Sequence, residues 1–134
     1  MSEIQTRTME EQGKPAASHI LVVDDNPEIR EVIYLLLGGE GYEVTEAANG
    51  EQAIEASAKY AFDLIILDIM MTGMNGYQTC VEIRPNSNAP ILFLSAKSQD
   101  DDKMLGFSSG GGDYQVKPIS SNELVVRAPA LLRS

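Results

Sequence analysis

One cysteine, Cys80, and one histidine, His19, are the only thiol and imidazole in 134 residues. A lone cysteine excludes an intrachain disulfide framework and fits a reducing compartment. Basic residues are also scarce: 10 Lys and Arg stand against 20 Asp and Glu, for a formal net charge of -10. With a pI near 4.4, the chain is a poor partner for nucleic acid, because a phosphate backbone needs a Lys/Arg surface. Long apolar runs are missing too. No stretch approaches the roughly 18 residues of a membrane span, and no charged-then-apolar signal peptide opens the chain. The expectation is a soluble, cytoplasmic protein without a membrane or nucleic-acid partner.

What is present is enough for one domain with a sizeable core, at 43% apolar residues. Residues 1–18 (MSEIQTRTMEEQGKPAAS) show no hydrophobic period and include Gly13 and Pro15. They read as a disordered leader, which leaves 19–134 as the domain. From His19 onward short apolar runs alternate with amphipathic stretches. Strands are expected at Ile20–Val23, Tyr42–Thr45, Leu64–Leu67, Ile91–Leu94 and Tyr114–Val116, several with the continuous apolar character of strands buried on both faces. Asn26 is placed to cap a helix that starts at Pro27 and ends at Gly38-Gly39. A second helix follows Asn49-Gly50. A third runs from about Gly76 to Arg84, stopped by Pro85. A weaker fourth covers about Asp101–Ser109, and a last one starts near Ser121. Five βα units predict an α/β fold: a five-stranded parallel sheet with five helices on both faces, doubly wound and flavodoxin-like.

The polar residues that interrupt this pattern sit where the apolar runs end. ILVVDD ends in Asp24 and Asp25, LIILD in Asp68, ILFLS in Ser95, and YQV runs into Lys117-Pro118. In an open parallel sheet, strand C-terminal ends share one edge, and ligands bind there. Three carboxylates and an ammonium at such an edge, with no Cys or His beside them, suit a hard divalent cation and a phosphate. Asp68 is the candidate nucleophile, since an aspartate oxygen attacking phosphorus gives an acyl phosphate. Two anions repel, so a cation must lie between them; Asp24, Asp25, Asp68 and the backbone carbonyl of Met70 are its expected ligands, and Mg²⁺ fits that set. Lys117 would reach the phosphoryl oxygens as a point charge, with Pro118 pinning the loop through a candidate cis bond. The Ser95 hydroxyl could donate to a phosphoryl oxygen, and the small Ala96 leaves room for the phosphodonor. Met70, Met71 and Met74 read as loop packing, because thioethers do not suit Mg²⁺. Each signal alone has a plainer reading as a cap, a turn or a solvated loop. Their order at four strand ends carries the inference.

With these motifs in place, the chain resembles a receiver domain of two-component response regulators. The resemblance runs from about His19 to Arg133 and rests on VVDDN, LDIMMTGMNG, FLSAK and GDYQVKPIS. It implies Mg²⁺-dependent transfer of a phosphoryl group from a sensor histidine kinase to Asp68, the phosphoacceptor. Asp24 and Asp25 would be the acid pair at the metal, Lys117 the phosphate-sensing lysine and Ser95 the switch hydroxyl. Tyr114 would be the switch aromatic that follows it. Such a domain is a phosphoacceptor with slow self-dephosphorylation rather than an enzyme. The tail KPISSNELVVRAPALLRS resembles the subfamily whose receivers precede a winged-helix DNA-binding domain and form homodimers through the fourth helix-fifth strand-fifth helix face. The chain then reads as a receiver fragment or a stand-alone receiver, with transcriptional control as the output of a domain outside it.

Several residues depart from the family pattern. Thr72 stands where a proline is usual, and Gly112 where an acid is common. Gln115 occupies a strand position normally apolar, where a buried amide without partners would cost about 1–3 kcal/mol. Pro129 falls in the last helix, where about 3 kcal/mol and a kink are expected. Gly112 and Pro129 together predict a weakened dimer face. Three other functions compete. A pseudo-receiver would keep the fold without phosphotransfer. A small aspartyl phosphohydrolase would place its acids two apart on the first strand, whereas here they are adjacent. A flavodoxin-like cofactor carrier would need a Ser/Thr/Gly-rich phosphate loop where DDNPE stands.

Overall fold

A computed structural model of the chain describes residues 17–95, 113–116 and 121–133; of residues 95, 113–116 and 121 it describes the backbone alone. The strands are β1 (His19–Val23), β2 (Glu43–Ala47), β3 (Leu64–Asp68), β4 (Ile91–Ser95) and β5 (Asp113–Val116). The helices among the described residues are α1 (Pro27–Gly39), α2 (Gly50–Lys59), α3 (Gly76–Ile83) and α4 (Ser121–Leu132). The sheet order is β2-β1-β3-β4-β5, and every neighbouring pair is parallel. The expected α/β architecture is therefore present, with all five strands and four helices among the described residues; the helix expected at 101–109 lies outside them, as do residues 1–16 of the expected leader and Gly112.

Period-2 alternation splits the strand side chains into two cores. Ile20, Val22, Leu64, Ile66, Leu92 and Leu94 pack with Ile33 and Leu37 of α1 and Leu124 and Ala128 of α4. Leu21, Val23, Ile65, Leu67, Ile91 and Phe93 pack on the opposite face with Ala53 of α2 and Cys80 and Ile83 of α3. Both faces of β1 and β3 are thus covered. This explains why their sequences are apolar at every position rather than at alternate ones. Cys80 is a buried core residue, and His19 opens β1, where its Nε2 lies 2.6 Å from Thr45 Oγ1 and its ring meets Phe62 edge-on. Among the described residues no helix is long and apolar enough to cross a membrane.

Helix starts follow local side-chain chemistry. Asn26 Oδ1 accepts from the N–H groups of Glu28 and Ile29 at 2.9 and 3.4 Å, and Pro27 needs no N–H partner at the first helical position. Asn49 accepts from Gln52 N–H at 2.8 Å. Asn75 and Gln78 form a reciprocal capping box at the head of α3. One expectation is adjusted. β2 covers Glu43–Ala47 instead of Tyr42–Thr45, because this edge strand is only half-buried and lacks a continuous apolar run. Tyr60 caps α2 from outside, with its N–H donating to Ala56 C=O. The last helix continues through Pro129 to Leu132. The ring removes the N–H that would bond Val125 C=O, and the anchoring contacts of Leu124 and Ala128 hold the helix on the sheet.

Gly76 fixes the path between β3 and α3. Its N–H donates to Ile69 C=O at 2.9 Å, and a Cβ there would run into the Asp68 carbonyl oxygen and Ile69 Cα. Gly38, by contrast, has open space around it. Urea unfolding of Gly76→Ala is expected to show a loss of about 1–3 kcal/mol from overpacking, whereas Gly38→Ala should gain up to about 1 kcal/mol from helix propensity. Equal stabilities for the two variants would contradict the close approach at Gly76.

Candidate functional site

The position of the site follows from strand register. β1 and β3 pair Val22 with Ile66 and Val23 with Leu67, so the next step along both strands brings Asp24 beside Asp68. Neighbouring strands lie about 4.8 Å apart, which sets the separation of the two acids without any long-range coincidence. Asp68 continues the parity of Leu64 and Ile66, on the face covered by α1 and α4. Asp25, one residue on, stands where the chain leaves the sheet. Carboxylate oxygens of Asp24, Asp25 and Asp68 all lie within 4.8 Å of one another. Asp24 and Asp68 are buried, at 0% and 2% exposure, and Asp25 is exposed.

The surrounding backbone is tied down on three sides. Asp24 N–H donates to Ala47 C=O at 3.2 Å, joining β1 to the end of β2. Asp24 Oδ1 accepts from Asn26 N–H at 2.9 Å, so this acid also shapes the turn into α1. Arg30, on the first turns of α1, reaches back to donate to Asp24 C=O at 2.6 Å and pairs with Glu46 at 3.2 Å. On the other side, Ile69 N–H donates to Leu94 C=O at 3.1 Å, which continues the β3–β4 ladder past Asp68. Asp25 Oδ2 accepts from both the N–H and the hydroxyl of Thr72, at 3.1 and 3.3 Å. These bonds join the loop after β1 to the loop after β3.

Electrostatics favours a cation at this point. A pair of unneutralised carboxylates 4 Å apart repels by about 4 kcal/mol in an effective dielectric near 20, and two of these three acids are shielded from water. The donor set is all oxygen, with His19 at the other end of β1 and Cys80 in the core. Such a set suits Mg²⁺, which takes a few carboxylates and keeps several waters, and does not suit metals that prefer nitrogen or sulfur. The chemistry of the residues present therefore fits Mg²⁺.

Of the other candidates, Ser95 is the last residue of β4 and is paired with Val116, one step past the partner of Asp68, which is Leu94. Tyr114 and Gln115 lie in β5, opposite Phe93 and Leu94. Met70 is in the loop directly after Asp68, with its side chain 73% exposed. Lys117, Pro118 and Ala96 lie outside the described residues. Sequence reasoning missed Arg30 and the bonds made by Thr72. Arg30 shares the first turn of α1 with solvent-facing residues, and neither the clamp nor the loop-to-loop bonds leave a periodic signal.

Comparison with known proteins identifies this arrangement. The family described as response regulator receiver domain matches residues 20–128. The transcriptional regulatory protein ResD of Bacillus subtilis (strain 168) is 44% identical over 114 residues, covering 85% of this chain and 48% of ResD. The DNA-binding response regulator MtrA of Mycolicibacterium smegmatis is 43% identical over 114 residues, covering 85% of this chain and 50% of MtrA. The chain thus spans about half the length of these curated relatives. Among solved structures, the response regulator protein TrrA of Thermotoga maritima, in complex with Mg(2+)-BeF, is similar at a TM-score of 0.76 and 37% identity. That similarity covers 85% of this chain and 98% of TrrA. The family match extends from β1 into α4 and takes in all three clustered acids, so the chain belongs to the response regulator receiver domain family.

Proposed function

We propose that this chain is the phosphoacceptor of a two-component system, taking a phosphoryl group from a sensor histidine kinase onto Asp68 in a Mg²⁺-dependent reaction. The observation that carries the reading is the convergence of Asp24, Asp25 and Asp68 within 4.8 Å at the carboxyl edge of the sheet. Asp24, Asp25, Asp68 and the Met70 carbonyl would hold Mg²⁺, which when bound screens the nucleophile from the negative phosphoryl group. An Asp68 oxygen bonds to phosphorus while the P–N bond of the donor phosphohistidine breaks. The electron pair leaves with the imidazole nitrogen, which takes a proton from water, and Asp68 becomes an acyl phosphate. Burial of Asp68 at 2% exposure supports its role as the acceptor, since a partly desolvated carboxylate is the better nucleophile and its product is shielded from water.

Lys117 would neutralise the phosphoryl oxygens, held in place by Pro118, and the Ser95 hydroxyl would donate to them. In this reading Ser95 and Tyr114 would carry the change to the face of β5 and α4 and the helix expected between β4 and β5, a two-state element biased by new charge-assisted hydrogen bonds. The chain acts as an acceptor with slow self-dephosphorylation rather than as a turnover enzyme. The names of its relatives support transcriptional control as the output, through a domain outside this chain. The net charge of -10 supports a chain that itself leaves nucleic acid alone. Gly112 and Pro129 weaken the homodimer face in this account.

Intact mass after incubation with acetyl phosphate tests the chemistry. One phosphate adduct is expected with Mg²⁺, none in EDTA and none on Asp68→Ala. No adduct on a folded chain that binds Mg²⁺ would overturn phosphoacceptance and leave an interaction module. Sedimentation of the phosphorylated chain should show monomer; a tight dimer would contradict the weakened face.

A further inference from the structure

Thr72 and Asp25 are far apart in sequence, yet hydrogen bonds between them join the loop after β1 to the loop after β3. The Thr72 N–H and Oγ1 converge on a single oxygen, Asp25 Oδ2, at 3.1 and 3.3 Å. Asp25 is the exposed member of the acid cluster, so nothing about burial alone would hold its side chain in one rotamer. Asp24 and Asp68, by contrast, are fixed by the packed strands that carry them. Thr72 is itself held firmly. Met71 before it is buried in the core at 8% exposure. Gly73 after it turns the chain with a left-handed φ of +81°, and Gly76 closes the loop onto Ile69. An exposed acid is thereby tied to an anchored loop. A proline at 72, the residue that the family resemblance leads one to expect, has neither donor.

We infer that Thr72 is a positioning residue for the cation site: it holds the Asp25 carboxylate in the orientation that divalent-metal binding requires. The inference rests on the reading of the acid cluster as a Mg²⁺ site. A carboxylate already oriented loses less rotamer freedom when a cation binds, and donors to one oxygen leave the cluster geometry set by the other contacts. Hydrogen-bond partners of metal-ligating side chains change metal affinity by about 10–100-fold when removed. The Thr72 bonds are solvent-exposed and the backbone N–H survives side-chain replacement, so the lower end of that range applies.

The test is Mg²⁺ titration by calorimetry on the wild-type chain, Thr72→Val and Thr72→Ser, with urea unfolding of each in EDTA. Valine keeps the shape and the N–H but removes the hydroxyl; serine keeps the hydroxyl. Thr72→Val should bind Mg²⁺ about tenfold more weakly, Thr72→Ser within about twofold of wild type, and all three should unfold alike in EDTA. Wild-type affinity in Thr72→Val overturns the inference, as does a serine variant as weak as the valine one. A purely structural role is shown, and the inference overturned, if the loss of affinity tracks a loss of stability in EDTA. A wild-type chain that binds no Mg²⁺ removes the metal reading itself, which is a distinguishable failure.

Discussion

The parallel register of β1 against β3 is the constraint on which the site depends. Val23 pairs with Leu67, and each strand is apolar on both faces up to that pair. Hydrophobic burial on two sides fixes the register, because each of these strand residues is fully buried and a slip of one residue would exchange the sets facing α1 and α2. Once that register is set, the first polar residue after each apolar run must emerge beside its neighbour. Asp24 and Asp68 therefore meet although neither attracts the other. The apolar core, at about 25 cal/mol per Å² of buried apolar area, supplies the free energy that holds two acids together against their repulsion.

This arrangement distributes rigidity unevenly. The buried acids inherit their positions from strands, while Asp25 and the loop after β3 take theirs from hydrogen bonds and from the close approach of Gly76 to Asp68. Asp24 serves two purposes, turning the chain into α1 through its bond from Asn26 N–H and contributing to the cluster. Arg30 adds a cation behind the site that grips the Asp24 carbonyl and Glu46. Being bound to a carbonyl, it steadies the backbone beside the cluster. Acids held in this way would need little reorganisation to take a cation, as the proposed reading requires.

Much of this was legible from residue order. LIILD and ILVVDD announce doubly buried strands ending in acids, and Asn26-Pro27 announces a helix start, because continuous apolar runs and capping chemistry are local signals. Other features are tertiary and left no such trace. The bounds of β2 shifted because EVTEA is a half-exposed edge strand with acids at Glu43 and Glu46. The Asn75–Gln78 capping box was hidden in a Met- and Gly-rich loop. Pro129 lies inside the last helix as its sequence position implied, but the packing of Leu124 and Ala128 that offsets its missing hydrogen bond is tertiary. The pairing of Thr72 with Asp25 depends on two loops brought together only by the sheet.

Packing forces these acids together, and in the proposed reading a cation relieves their repulsion. Thermal melting of the wild-type chain, Asp24→Asn and Asp68→Asn, each in EDTA and in Mg²⁺, tests it most directly. In EDTA both variants are expected to melt at or above the wild type, since one repelling charge is gone, and Mg²⁺ should raise only the wild-type transition appreciably. Variants that melt well below the wild type in EDTA, with Mg²⁺ shifting all three chains equally, would contradict it.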